Sequence, residues 1–83
     1  MKEICWSQEK NAFLARTRDV TFEQLLNSRF IGIEQHRIKT HQRLMLFEFE
    51  KRVWVVPYVE DKDHYFLKTA FPSRKLTKKY QGG

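Results

Sequence analysis

The strongest constraint on the fold is a pair of apolar runs in the middle of the chain, at residues 44–49 and 53–59. The first run alternates, and the second is rich in valine, tryptophan and tyrosine. Residues 50–52, which read Glu-Lys-Arg, separate them. This arrangement predicts two antiparallel strands joined by a tight connection. Pro57 has no backbone N–H and cannot donate a hydrogen bond to a neighbouring strand, so we expect it at a sheet edge or at a bulge.

Two short helices are predicted before these strands. Ser7 is a cap for a helix over residues 8–16, which contain good helix formers. Thr21 and Gln24 have the spacing of a capping box, which marks the start of a second helix ending near residues 28–29. The pattern predicts two helices of only two or three turns.

Three further strands complete the predicted order, at residues 3–6, 30–33 and 64–71. We therefore predict an α+β fold in which two short N-terminal helices pack on a small antiparallel sheet. A chain of 83 residues is expected to form a single domain over residues 1–83. Residues 72–83 are expected to form a basic C-terminal tail.

Composition limits the class of protein. The single cysteine, Cys5, cannot form an internal disulfide, which is typical of a reducing compartment. The N-terminus has no signal-peptide pattern, and no apolar stretch is long enough to cross a membrane. We expect a cytoplasmic protein that does not associate with membranes.

Positive charge is concentrated near the C-terminus. Residues 64–83 carry five Lys/Arg and no Asp/Glu, which leaves 11 basic and 10 acidic side chains for residues 1–63. Almost the whole net charge of +6 therefore lies at one end of the chain. Such a field indicates a polyanionic partner, namely RNA, DNA or an acidic protein surface. A solvated, partly helical basic tail is the alternative interpretation.

The residue types also fit one reaction that needs no metal. Cleavage of RNA by its own 2′-hydroxyl requires a proton acceptor, cations beside the phosphate and a proton donor. Arginine binds phosphate through paired donors, and lysine supplies a point charge or, when its pKa is depressed, a base. The candidate side chains are Arg43, His64, Lys68, Arg74, Lys75 and Tyr80. Dispersed histidines and one cysteine give no zinc-ligand spacing, so we expect no metal or other cofactor.

Short motifs spread along the chain match the pattern of one known family. Residues 6–10 read Trp-Ser-Gln-Glu-Lys, residues 20–24 read Val-Thr-Phe-Glu-Gln, and residues 66–80 combine a strand with a basic tail. In this order they resemble BrnT-type toxins, which belong to the RelE-like group of toxin–antitoxin ribonucleases. Two features differ. Residues 17–19 read Thr-Arg-Asp where the family usually has Lys-His-Gly, and the acidic residue usual in the tail is absent.

The resemblance implies a RelE-like fold and a toxin that cleaves RNA and arrests translation. Its basic strand and tail positions correspond to Lys68, Arg74 and Lys75, its tail tyrosine to Tyr80, and the arginine opening a middle strand to Arg43. The predicted catalytic residues are therefore Lys68, Arg74, Arg43, His64 and Tyr80. The predicted RNA-binding residues are Lys75, Lys78 and Lys79.

The resemblance also implies partners. The substrate would be mRNA, free or on the ribosome. A cognate antitoxin with a ribbon-helix-helix DNA-binding part would hold the toxin silent in a hetero-oligomer, and the sequence offers strand edges and a basic face for it.

Two alternatives remain open. The basic face could bind RNA or a protein without cleaving anything. The terminal Gly82-Gly83 also resembles the tail of a ubiquitin-like modifier or sulfur carrier. Those folds open with a β-hairpin before their helix, whereas this chain predicts one strand followed by two helices.

Overall fold

The chain folds as one mixed sheet with helices on both faces. The structure is a computed structural model and describes residues 2–81. In chain order its elements are β1 (Glu3–Trp6), α1 (Gln8–Arg18), α2 (Phe22–Leu26), β2 (Arg29–Gln35), β3 (Gln42–Phe49), β4 (Arg52–Glu60), β5 (His64–Leu67), β6 (Phe71–Ser73) and α3 (Arg74–Tyr80). The strand order is β1-β5-β4-β3-β2, and β6 also pairs with β4.

The predicted α+β class is confirmed, but the predicted arrangement of two N-terminal helices on a small antiparallel sheet is wrong. The sheet has six strands and is mixed, because β1 pairs with β5 in parallel. A third helix, α3, follows the last strand. Strands as short as β1 and β5 carry no sequence signal for the direction of their partner. The helix was not predicted because its sequence is rich in lysine and was interpreted as a basic tail. Its N-cap is Ser73, whose hydroxyl accepts a hydrogen bond from the backbone N–H of Leu76 at 3.2 Å.

The predicted last strand over residues 64–71 is divided in two. β5 pairs with residues 58–60 of β4, and β6 pairs with residues 53–55. At the interruption, the backbone N–H of Lys68 donates to the carbonyl oxygen of Pro57 at 2.8 Å. The N–H and C=O of a strand residue point to the same side. The donor that Pro57 lacks would therefore face the interruption, which explains a proline in a central strand where the sequence predicts an edge or bulge.

Apolar residues of the sheet alternate between two cores. On one face α1 and α2 cover Met45, Phe47, Trp54, Val56 and Tyr58. On the other face α3 packs through Leu76 over a smaller cluster of Leu46, Val53 and Val55. Strand β4 is therefore buried on both faces, which explains its nearly continuous apolar sequence.

The starts of the two N-terminal helices are as predicted. The Ser7 side chain caps α1, and Thr21 with Gln24 forms the capping box of α2. No helix within residues 2–81 combines the length and apolar character that crossing a membrane requires.

Most of the C-terminal segment belongs to a short strand and a helix. Within the predicted tail over residues 72–83, Pro72 and Ser73 belong to β6, and Arg74–Tyr80 form α3. Gly82 and Gly83, on which the carrier alternative rests, lie outside the described residues. The observed order of one strand followed by two helices also lacks the opening β-hairpin of those carriers.

Candidate functional site

Two of the surface cavities differ sharply in charge. The first, here called the mixed cavity, has a volume of about 560 Å³ and contains three basic side chains, Lys2, Arg43 and Lys62, beside Glu60 and Asp61. Its remaining lining residues are Gln35, Thr40, His41 and Tyr58. The two carboxylates would repel a phosphate, so this cavity is poorly suited to RNA.

The second cavity, here called the basic pocket, has a volume of about 510 Å³. It is lined by Ser7, Lys10, His36, Lys39, Gln42, Pro57, Phe66, Leu67, Lys68, Thr69 and Phe71. Three of these residues are lysines, and none of them carries a carboxylate. A phosphate group entering it meets only neutral or positive side chains, which makes the basic pocket the candidate site.

The interruption between β5 and β6 positions Lys68 in this pocket. Its backbone is fixed by the hydrogen bond to Pro57, and its Nζ lies 5.5 Å from the centre of the Phe66 ring. A cation over an aromatic face is attracted by the ring electrons. Lys68 is therefore held at the pocket by its backbone and by its side chain, while its ammonium stays exposed.

The connection between β2 and β3 supplies the opposite wall. The Nδ1 atom of His36 accepts hydrogen bonds from the backbone N–H groups of Ile38 and Lys39, both at 3.1 Å. The backbone N–H of Gln42 donates to the carbonyl of Lys39 at 2.9 Å. Because Nδ1 is an acceptor, the neutral ring carries its proton on Nε2. The turn thus orders Lys39 and leaves His36 with one N–H donor for a ligand.

Gln42 is an almost buried amide with no hydrogen bond from its side chain to any other described residue. Only 7% of its surface is exposed. Its amide nitrogen and oxygen still reach solvent, since Trp54 Nε1 is the one side-chain polar atom among the described residues that is both shut off from water and without a partner. Since Gln42 lines the basic pocket, its donor and acceptor atoms are available to whatever fills that pocket.

Two phenylalanines give the pocket an aromatic rim. Phe66 is 37% exposed and Phe71 is 38% exposed, although both belong to strands. Exposed rings beside positive charge are the usual means by which proteins stack unpaired bases. The basic pocket therefore offers contacts for both the phosphate and the base of a single strand.

Of the predicted catalytic residues, Lys68 alone lines the basic pocket. Arg43 follows Gln42 on β3, so it points to the opposite face of the sheet and lines the mixed cavity instead. There it lies opposite Tyr58. Burial raises the pKa of the Tyr58 hydroxyl above its ordinary value, and the neighbouring Arg43 partly offsets this effect.

His64 is tied to a turn. Its backbone N–H donates to Oδ1 of Asp61 at 2.7 Å, and its Nδ1 lies 3.5 Å from the same oxygen. Backbone N–H groups of Asp63 and His64 hold the pKa of the Asp61 carboxyl below its usual value. The ring of His64 therefore faces a carboxylate, and it does not line the basic pocket.

The remaining predicted residues, Arg74, Lys75, Lys78, Lys79 and Tyr80, share helix α3. None of them lines the basic pocket. The Tyr80 hydroxyl donates to Oε2 of Glu34 on β2 at 3.2 Å, and Nζ of Lys79 lies 5.3 Å from the Tyr80 ring. The structure thus brings the basic tail residues together on a helix, but it does not join them with Lys68.

Sequence reasoning did not select Lys10, His36, Lys39 and Gln42 for the site. They come from α1, the β2–β3 connection and β3, and the pairing of strands in the sheet brings these elements close to Lys68. No spacing along the chain links these residues, and only the order of the strands could have revealed them.

Comparisons with known proteins bear on the fold. The chain matches no protein-family model and no curated protein sequence. It is similar in structure to the Brucella abortus ribonuclease toxin BrnT, known from a crystal structure at 1.1 Å resolution. The TM-score is 0.54 at 14% sequence identity, and the match covers 88% of this chain and 97% of that chain. The resemblance indicated by the sequence motifs is therefore confirmed at the level of the fold, which this chain shares with BrnT.

Proposed function

We propose that this chain is the toxin of a type II toxin–antitoxin system, an endoribonuclease that cleaves RNA without a metal and arrests translation in the cytoplasm. The observation that carries the proposal is the basic pocket, which combines three lysines and two exposed rings with no carboxylate. The shared fold supports it, because the neighbouring structure is that of a ribonuclease toxin.

The proposed reaction is attack of a 2′-hydroxyl oxygen on the adjacent phosphorus. The bond to the 5′ oxygen breaks, and the products are a 2′,3′-cyclic phosphate and a 5′-hydroxyl. Lys10 and Lys39 stabilise the additional negative charge on the phosphorane. The Lys68 ammonium donates a proton to the departing 5′ oxygen, and the proton of the 2′-hydroxyl passes to water, from which Lys68 is reprotonated. His36 donates a hydrogen bond from its Nε2–H to a phosphoryl oxygen and keeps its proton.

The predicted residues outside the pocket receive different proposals. Arg74, Lys75, Lys78 and Lys79 bind the RNA backbone beyond the reacting phosphate, since all four are exposed on α3. Arg43, His64 and Tyr80 take no part in the reaction, because each already contacts a neighbour away from the pocket.

The proposed partner is a cognate antitoxin that forms a hetero-oligomer with the toxin. It would carry a ribbon-helix-helix DNA-binding part and an acidic segment. A pocket with lysines and no carboxylate complements such a segment, which would cover the site and exclude RNA. The complex would then bind its own promoter DNA through the antitoxin and not through this chain.

A cleavage assay in EDTA tests the proposal. The parent protein and the variants Lys68→Ala and Lys39→Ala are incubated with a structured RNA, with and without ribosomes. The ends are analysed for 2′,3′-cyclic phosphate. We expect cleavage by the parent and a loss of roughly 100-fold or more in each variant, the usual contribution of a positioned proton-transfer group or of a donor to developing charge.

The matched control is Lys62→Ala. Lys62 is an exposed lysine of the mixed cavity, so the substitution removes the same charge without touching the basic pocket. Equal losses in Lys62→Ala and Lys68→Ala would indicate a general charge effect and contradict the assigned site. Absence of cleavage under every condition would overturn the ribonuclease proposal.

One observation favours a second function, binding of RNA without cleavage. The Nδ1 atom of His36 is occupied by two backbone N–H groups, so the ring cannot accept a proton there without breaking the turn. The variants His36→Asn and His36→Ala separate the possibilities. Asparagine can still accept from the turn but lacks the Nε2 donor. A binding module keeps its RNA affinity in His36→Asn, whereas the ribonuclease loses cleavage in both variants.

A further inference from the structure

A second basic surface lies at the other end of helix α1. Two adjoining cavities of about 470 and 390 Å³ share the residues Arg52 and Pro72. Together they form a surface here called the arginine groove, whose basic residues are Arg16, Arg18, Arg52, Arg74 and Lys78. Asp19 is the one acidic residue that lines it.

The cations of the arginine groove are not paired. None of the five lies within 4.0 Å of a carboxylate oxygen among residues 2–81, although Lys2 and Arg29 each pair with a glutamate elsewhere in that part of the chain. All five side chains are exposed. Unpaired cations collected from α1, β4 and α3 repel one another, and a bound polyanion would relieve that repulsion.

Arg52 occupies the centre of the groove, where both cavities meet. Its guanidinium lies 5.1 Å from the centre of the Trp54 ring. Trp54 is 1% exposed, so the indole offers a rigid support on which the guanidinium rests. A held guanidinium presents its paired donors to a phosphate at a smaller entropic cost than a free one.

The arginine groove lies next to the basic pocket along the edge strand β6. The pocket ends at Phe71, and the groove begins at the next residue, Pro72. Along β4 the pocket contains Pro57 and the groove contains Arg52. Five residues of strand separate these two, roughly 17 Å. Phe71 pairs with Val55 and Pro72 with Trp54, so the two side chains face opposite sides of the sheet. A single strand seated in the pocket would therefore pass around the edge strand β6 to reach the groove, and one phosphodiester could not reach both sites.

We propose that the arginine groove binds the phosphate backbone of RNA beyond the reacting site and so selects long substrates. The inference rests on the proposed function for the identity of the substrate. It extends the sequence prediction, in which Arg74 and Lys78 act without Arg16, Arg18 and Arg52. An RNA backbone fits better than an acidic peptide, because the groove adjoins a pocket with exposed rings for bases.

The test measures binding and cleavage separately. Binding of a labelled 12-nucleotide RNA that carries 2′-O-methyl groups, and therefore cannot be cleaved, is followed by fluorescence anisotropy at several salt concentrations. The double variant Arg18→Gln/Arg52→Gln is compared with Lys2→Gln/Lys62→Gln, which removes two positive charges from the mixed cavity instead. We expect the slope of log K against log salt to fall by about 1.4 in the groove variant, since each phosphate contact on a single strand contributes about 0.7. The control variant should keep the parent slope.

Cleavage of a dinucleotide and of the long RNA completes the test. The groove variant should raise KM for the long RNA while kcat/KM for the dinucleotide stays at the parent value. A parent protein that binds RNA with the expected slopes but never cleaves leaves the groove intact and overturns only the ribonuclease proposal. Equal salt slopes in the groove variant and the parent would overturn the proposal that the arginine groove binds RNA.

The same variants test whether the groove binds an acidic protein instead of RNA. If the groove variant loses binding of a poly-glutamate peptide while its RNA slope is unchanged, the surface takes an acidic protein and the RNA proposal is overturned. The single variant Arg18→Gln serves where Arg52→Gln perturbs the contact with Trp54. Arg18 is exposed on α1, so its replacement leaves the core untouched.

Discussion

The Oδ1 atom of Asn11 accepts a hydrogen bond from the backbone N–H of Phe22 at 2.8 Å, which joins the two N-terminal helices. The same amide donates through Nδ2 to Oε1 of Glu23 at 2.7 Å. Asn11 is buried, and Phe22 is fully buried in the main core. One side chain thus satisfies a donor at the start of α2 and fixes that helix against α1.

Replacing Asn11 with alanine should destabilise the protein. The Phe22 N–H would lose its partner in a buried position, which typically costs about 1–3 kcal/mol. Urea unfolding followed by circular dichroism gives the free energy of unfolding. The control is Gln8→Ala, an exposed position on the same helix, where we expect a change within about 0.5 kcal/mol. Equal stabilities for the two variants would contradict the assigned contact.

The partnership with Asn11 also makes stability depend on pH. The hydrogen bond from Asn11, followed by backbone donors, lowers the pKa of Glu23 below its ordinary value. A lowered folded-state pKa means that the unfolded chain binds the proton more tightly. The stabilisation by Glu23 is therefore complete above the ordinary pKa of glutamate and is lost as the pH falls through the folded value.

The measurement compares the parent with Glu23→Gln in urea between pH 7 and pH 3. Glutamine has the shape of the protonated carboxyl and does not titrate. We expect the parent to be the more stable protein at pH 7 and the difference to shrink toward pH 3. A difference that stays constant across this range would show that the charge of Glu23 does not contribute.

Helix α3 depends on one hydroxyl. Oγ1 of Thr77 accepts from the backbone N–H of Val53 at 2.9 Å and donates to the Ser73 carbonyl at 2.6 Å. Val53 is fully buried. Thr77→Val keeps the shape but leaves the Val53 N–H unpaired, so we expect a loss of about 1–3 kcal/mol in the free energy of unfolding.

Thr77→Ser retains the hydroxyl and is the matched control. Because α3 carries Arg74 and Lys78, the valine variant should also bind RNA more weakly than the serine variant. Urea unfolding and anisotropy titrations with the 2′-O-methyl RNA check the two effects. If valine and serine variants behave alike, the hydroxyl is not what holds α3 to the sheet.

Local signals in the sequence were sufficient for the elements that local chemistry determines. The capping box of Thr21 and Gln24 and the alternation within β3 each depend on residues a few positions apart, and both are found as predicted. The parallel pairing of β1 with β5 joins residues about 60 positions apart. No short-range pattern encodes such a contact.

The site was less predictable for the same reason. Lys68 was predicted as a basic residue of the last strand, and in the structure that strand is interrupted at Lys68. Arg43 was predicted as a site residue, whereas the neighbouring Gln42 was not. Side chains alternate along a strand, so the two point to opposite faces of the sheet, and only Gln42 lines the basic pocket. The side that faces the pocket depends on where the helices pack, and the sequence near residue 43 does not contain that information.

The amide of Gln42 should influence which base is cleaved. The amide has no hydrogen bond to another described residue and lines the basic pocket, so a base entering the pocket can pair with its donor and acceptor together. The edge of adenine that carries N6 and N7 offers such a pair, and guanine offers two acceptors at the same place. We expect the parent to prefer adenine over guanine beside the cleaved bond.

Gln42→Met fills the same volume without hydrogen bonds and should reduce the preference by roughly 10-fold, equivalent to the loss of about 1–3 kcal/mol of discrimination. Cleavage rates on four RNAs that differ only at that base measure the effect, with Lys62→Ala as the control. An unchanged order of preference in Gln42→Met would show that the base is read elsewhere, while a uniform loss on all four RNAs would show that Gln42 shapes the pocket without reading the base.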